Sequence, residues 1–296
     1  MKLVKYMLAA LIGLSLLGAC KRQAPDENRI TVTIEPQRFF ADRIGGDRFI
    51  VQSMVAPGQN PESYDPTPQQ MISLGKSRAY FKIGYIGFEL VWMERIRQNN
   101  PQLNIFDLSE NMPLIQGEEH DHDHEAEDHH HHHGGIDPHI WSSFEGGKAV
   151  AHNTLNAFIA LDGEHADEYR TNYEKLLEEI ETTEQQVREI LAPLKGTTFI
   201  IYHPALTYFA QEFGLNQLCI ENEGKEPTPQ HIRRLIDAAK ESGAKVAFIQ
   251  QEFDKKNAEL IAREAGCKLV VINPLAYEWL DQMVLIAQAF VDGHAD

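Results

Sequence analysis

Two sets of short β-branched runs, separated by helix-forming sequence, constrain the fold of this chain more than any other feature. The first set is ITVTI (Ile30–Ile34), RFIVQSMV (Arg48–Val55), AYFKIG (Ala79–Gly84) and LNIFDL (Leu103–Leu108). The second is TTFIIY (Thr197–Tyr202), QLCI (Gln217–Ile220), KVAFIQ (Lys245–Gln250) and KLVVI (Lys268–Ile272). Thr67-Pro68 and Thr228-Pro229 each offer a helix N-cap with proline at the first helical position. After the second pair, Ile232, Leu235, Ile236 and Ala239 recur at helical spacing, and Gly243 is a suitable stop. Alternation of this kind predicts an α/β chain whose parallel sheets are covered by helices on both faces. Two such sets predict two (β/α)4 lobes.

Between the sets, His165–Leu191 is the most helical part of the chain. Tyr169, Tyr173, Leu176, Leu177, Ile180, Val187, Ile190 and Leu191 form an apolar stripe, and Pro193 ends it. At about 1.5 Å per residue this makes roughly 40 Å of helix, far more than a sheet crossover needs. A strut joining two lobes accounts for that length. A coiled-coil seam would also produce a stripe, but this one lasts less than four heptads. The expected division is 29–164 for an N-terminal lobe, 165–194 for the linking helix and 195–296 for a C-terminal lobe.

The first twenty residues, MKLVKYMLAALIGLSLLGAC, pair a basic start (Lys2, Lys5) with an apolar run from Met7 to Leu17. That run is shorter than the roughly 20 residues a bilayer span needs, and it suits a secretory signal. Leu17-Gly18-Ala19-Cys20 resembles the bacterial lipobox, so Cys20 is the expected lipidation site and 21–28 a polar tether. The expected location is the bacterial envelope, lipid-anchored, on the periplasmic side or the cell surface. Losing Lys2 and Lys5, with no acidic residue removed, takes the formal charge from −17 to −19. So acidic a body argues against nucleic acid as a partner and suits one that meets cations. Cys219 and Cys267 are the cysteines left, enough for at most one bridge, which spacing does not decide.

Within the first lobe, EEHDHDHEAEDHHHHHGG (Glu118–Gly135) carries eight histidines and seven carboxylates. It lies in an expected His- and acid-rich loop at 117–135. His120, His122, His124, His129, His130, His131, His132 and His133 read as an accessory metal loop. Imidazole suits zinc better than magnesium, calcium or manganese. Ordering a flexible segment costs about 1–2 kcal/mol per residue, so several weak, exchangeable ions are expected there. They would leave below about pH 6 as the histidines protonate.

A tighter site is expected outside the carboxyl ends of the strands, where open parallel sheets place their ligands. His203 directly follows TTFIIY, Glu62 lies in PGQNPESYDPTP shortly after RFIVQSMV, and Asn273 follows KLVVI. His139, in DPHIW, lies on the segment leading out of the tract. Two imidazoles and a carboxylate make a suitable set of donors for a borderline divalent ion.

The lipobox, PGQNPESYDPTP, the His-rich tract, DPHIW, YHPALTYFA and INPLA, in that order, resemble the zinc-uptake ABC-transporter solute-binding proteins (ZnuA/TroA type, cluster A-I), and the likeness covers roughly residues 29–292 of the mature chain. The resemblance implies two (β/α)4 lobes on one long helix, metal between them, and His139 and His203 as ligands. It also implies an ABC membrane permease as partner and Zn2+ as the cargo, with Mn2+ or Fe2+ as alternatives; a monomer is expected. Three positions depart from the family pattern. Glu62 stands at a usual histidine, Asn273 (a weak fourth donor) at a usual aspartate, and Gln250 at a common glutamate. Should Glu62 point away, Glu35 is the next carboxylate to consider. Two other functions remain open: a zinc-buffering or adhesive surface lipoprotein, and a zinc metallohydrolase, although no HExxH pattern is present.

Overall fold

The computed structural model describes residues 26–117, 135–221 and 227–295. Cys20 with its signal segment and the metal-loop histidines His120–His133 lie outside these described residues.

The first set of strands is β1 (Asp26–Val32), β2 (Ile50–Ser53), β3 (Ser77–Lys82) and β4 (Asn104–Asp107). Helices α1 (Glu35–Gly45), α2 (Pro68–Leu74) and α3 (Gly87–Asn99) connect them. The second set is β5 (Thr198–Ile201), β6 (Asn216–Cys219), β7 (Val246–Gln250) and β8 (Lys268–Ile272). Between them lie α6 (Thr207–Phe213), α7 (Pro229–Glu241) and α8 (Lys255–Ala265), and α9 (Trp279–His294) follows. Both sheets are wholly parallel and share one topology, β2-β1-β3-β4 and β6-β5-β7-β8. In each, strand order reverses between the first and third strands, and a crevice opens at their carboxyl ends.

Local signals act as chemistry requires. Thr67 and Thr228 accept hydrogen bonds from the backbone N–H of Gln70 and His231, with Pro68 and Pro229 opening the helices. Every residue of β5 and β7 is buried, as expected of strands covered on both faces. The strands are shorter than some apolar runs suggested: RFIVQSMV contributes only Ile50–Ser53, and Met54 and Val55 form a bend whose N–H groups still donate to the Val32 and Thr33 carbonyls.

The long helix α5 (Ala166–Leu191) has 26 residues, flanked by single 3-10 turns at Gly163–His165 and Ala192–Leu194. Its buried stripe is Tyr169, Leu176, Ile180, Val187 and Leu191. It packs within this chain against α1, α9 and the 18-residue α4 (Phe144–Leu161). The stripe is therefore filled internally rather than by a coiled-coil partner. Helix α4 had no counterpart in the sequence expectations, since Gly146-Gly147 and the polar Lys148, His152 and Asn153 blur its period.

One apolar core runs through both lobes, from Phe40 and Phe81 through Phe144 to Phe199, Phe248 and Phe290, while a second, smaller core covers the outer face of the C-terminal sheet. At the junction Trp141 Nε1 donates to the Pro274 carbonyl at 3.0 Å and Trp279 Nε1 to the Trp141 carbonyl at 2.6 Å. Gly147 makes this packing possible: a Cβ there would lie 2.5 Å from the Trp279 ring.

Cys219 and Cys267 are not bridged to each other. Cys219 ends β6 and Cys267 immediately precedes β8, the two edge strands of the C-terminal sheet. Three strand spacings of about 4.8 Å separate those edges, well beyond disulfide reach.

Candidate metal centre

His139 sits where the chain leaves the base of the tract. There Gln116 pairs with Ile136 in an antiparallel bridge, and the Asp137 N–H donates to the Ile115 carbonyl. A 3-10 turn, Ile140–Ser142, follows His139 and fixes its direction. His203 lies two residues beyond β5, at the reversal point of the C-terminal sheet. The buried amide of Gln250, at the end of β7, donates from Nε2 to the His203 carbonyl at 2.7 Å and accepts from the His203 N–H at 3.3 Å. A carboxylate at position 250 could accept but not donate, so the departure noted in the sequence has a structural use.

The two imidazoles meet across the lobes with Nε2 atoms 3.2 Å apart and rings inclined at 73°. On the far side of each ring stands a carboxylate. His139 Nδ1 is 2.8 Å from Asp137 Oδ1, and His203 Nδ1 is 2.8 Å from Glu221 Oε2. Carboxylates accept, so each Nδ1 carries a proton, and in the neutral rings both Nε2 lone pairs point into the same space. Two lone pairs at that distance repel unless a cation sits between them. Nitrogens on a tetrahedral ion at about 2.0–2.1 Å stand about 3.3 Å apart, close to the separation seen. Carboxylate–imidazole pairing of this kind is how proteins orient metal-binding histidines.

Electrostatics agree. Burial opposes the imidazolium of His139, but Asp137, then Glu62 and Glu221, outweigh it and raise its pKa above the ordinary value. Burial likewise works against the Asp137 carboxylate, yet its pairing with His139 holds it below the usual range. Trp141 packs beside His139 with ring centroids 5.3 Å apart, and Phe253 stacks on His203 at 5.5 Å, shielding the pair from solvent.

Other predicted donors stand in different positions. Glu62 Oε2 accepts from the Gly87 N–H at 2.8 Å, capping α3, while its Oε1 is buried without a partner. Gly87 admits this approach because a Cβ there would come within 2.3 Å of the Glu62 carbonyl. The Asn273 Oδ1 accepts from the Leu275 N–H at 3.2 Å in a local turn. Glu35 begins α1 and pairs with Arg38 at 3.4 Å. Among the described residues, no three His, Cys, Asp or Glu side chains form a ready-made cluster for one ion.

A narrow cavity of about 10 Å³ lies at the histidine pair, walled by Asn60, Pro61, Trp141 and also by Glu252, which sequence reasoning missed. That volume suits a single small occupant. Glu252 lies two residues beyond β7, so the strand-end criterion that found His203 would have found it too. Glu221 follows β6 by two residues and was equally open to that criterion.

Comparison with known proteins gives a consistent picture. A family model described as ZnuA, "Zinc-uptake complex component A periplasmic", matches residues 30–293. A crystal structure of ZnuA shares 33% identity at a TM-score of 0.81, covering 91% of this chain and 99% of that one. The high-affinity zinc uptake system protein ZnuA of Bacillus subtilis is 25% identical over 275 residues, 91% of this chain and 85% of that protein. The zinc-binding lipoprotein AdcA of Streptococcus pneumoniae is 25% identical over 281 residues, 93% of this chain, but the chain spans only 56% of its length.

Proposed function

This chain belongs to the ZnuA family of periplasmic zinc-uptake components, and we propose that His139 and His203 grip its zinc ion between the lobes. The chain is a solute-binding protein for zinc uptake, and proteins of this family work with ABC transporter permeases. The family is one of transport components, and we assign no catalytic step to the site.

The observation that carries this reading is the pair of Nε2 atoms, 3.2 Å apart, each backed by a carboxylate on Nδ1. Glu62, with one buried oxygen lacking a partner, is the third donor in this reading. Two imidazoles with a carboxylate make a harder donor set than three imidazoles, so Mn2+ and Fe2+ compete better than they would at an all-histidine site. The tract histidines collect further zinc weakly. Cys20 anchors the chain to the membrane by acylation, and the protein acts as a monomer with lobes at 29–164 and 195–296. Zinc titration against a chelating competitor tests the core of this. His139→Ala and His203→Ala should each abolish the tight site, whereas deleting Glu118–His133 should remove only weak ions. Loss of tight binding on that deletion would instead favour a zinc buffer.

A further inference from the structure

The histidine pair leaves a four-coordinate ion short of donors, and its surroundings show where the remaining ones are held. Among the described residues, only two carboxylate oxygens are buried without any hydrogen-bond partner, Glu62 Oε1 and Glu252 Oε2. Both are near this pair. Glu252 walls the cavity that His139 and His203 share, and Asn60 and Pro61, next to Glu62, wall it from the other lobe. A buried, unsatisfied carboxylate oxygen carries a large desolvation cost, which a cation would offset. Asn273, the alternative fourth donor, has its Oδ1 engaged by the Leu275 N–H and does not line the cavity.

We propose that Glu252 is a metal ligand, so that each lobe contributes one imidazole and one carboxylate to the ion: Glu62 and His139 from the first, His203 and Glu252 from the second. This rests on the zinc-binding reading given above and deepens it. As no ready-made cluster of three such side chains exists among the described residues, a carboxylate must rotate onto the ion as it enters. The Glu252 Oε2 gives up no bond in doing so. Two carboxylates also neutralise a divalent charge within the site. With two ligands from each lobe, the ion itself becomes a cross-link between them, and an oxygen-richer set admits harder ions than histidines alone would.

The test is zinc affinity by chelator competition on the full chain, with melting of the metal-free protein as a folding control. Glu252→Gln should weaken the tight site by at least the roughly tenfold that losing an outer partner of a ligand typically costs. Asn273→Ala should change it less than about twofold if its oxygen is not a ligand. Infrared difference spectra at one equivalent of zinc give a second readout. Two carboxylate groups should shift in the unaltered protein, one remaining in Glu252→Gln and one in Glu62→Gln. A single shifted carboxylate in the unaltered protein overturns the assignment even if Glu252→Gln fails to fold. So does unchanged affinity in Glu252→Gln while His203→Ala loses binding, an outcome that leaves the two-histidine site intact. Unchanged tight binding in both His139→Ala and His203→Ala would instead sink the underlying reading.

Discussion

An imidazole offers its lone pair to a metal only when its other nitrogen holds the proton, and at this site Asp137 and Glu221 impose that state. Asp137 also accepts from the His139 backbone N–H at 2.9 Å, so the same carboxylate sets both ring and backbone. Replacing either carboxylate by its amide leaves shape nearly unchanged but allows the ring to flip or change tautomer. Asp137→Asn and Glu221→Gln are therefore expected to weaken zinc binding by about 10–100-fold without altering the melting temperature of the metal-free protein, as a competition titration and a thermal melt would show. Equal affinity in both variants and the unaltered protein would mean that the carboxylates do not orient the rings. At this scale the sequence was partly legible. His139 and His203 stand in short motifs, the second of them directly after a strand. The partnership of His203 with Glu221 is not local, since it joins the ends of two neighbouring strands across eighteen positions of sequence. Gln250 is similar, because an amide that bonds both backbone groups of His203 is recognisable only once β5 and β7 lie side by side.

Among elements, α3 does more than cover a sheet. Its Glu89, 1% exposed, accepts from the N–H groups of Ile83 and Gly84 and from the Thr33 hydroxyl. It thereby ties the turn after β3 to the turn after β1, and the first residue of α3, Gly87, holds Glu62. Burial is the largest influence on Glu89 and raises its pKa from 4.5 to about 7, against the bonds from Thr33, Ile83 and Gly84. A carboxyl whose folded pKa is raised stabilises the fold below its unfolded pKa, and that contribution is lost as pH rises through the folded value. Between about pH 4.5 and 7 the native protein should lose on the order of 3 kcal/mol that Glu89→Gln does not lose. Denaturant unfolding at a series of pH values checks this, and parallel curves for the two proteins would refute it. None of this is legible in the sequence, since a glutamate in the first turn of GFELVWMERIRQN reads as an exposed helical position. The strands and α5 were legible because their apolar periods are long and clean. Helix α4 was not, since its buried glycines serve packing rather than helix propensity.

In the whole molecule, the two lobes are less separate than a repeated β/α pattern suggests. Helix α5 contacts α1 and α4 of the first lobe and α9 of the second, and one apolar core passes from lobe to lobe. The interlock is sharpest at Trp279, 2% exposed, whose ring lies against Phe40 and Phe144 at centroid distances of 5.0 and 5.6 Å. The crossed indole–carbonyl bonds with Trp141 then fix the distance between the lobes just behind His139 and His203. Such a junction resists wide hinge opening, and zinc entry at the proposed site is expected to need only side-chain movement and small shifts of packed helices. Trp279→Ala should accordingly do two things. It should cost about 3–5 kcal/mol of stability, as large buried aromatics do on truncation, because α4 cannot close over the vacated volume. It should also loosen the spacing of the two imidazoles, so zinc affinity should fall even though Trp279 touches no ligand. Urea unfolding and chelator competition on the same preparation separate these effects. A variant that is destabilised as expected, yet binds zinc as tightly as the unaltered protein, would show that the histidine pair is positioned by each lobe alone and owes nothing to the shared core.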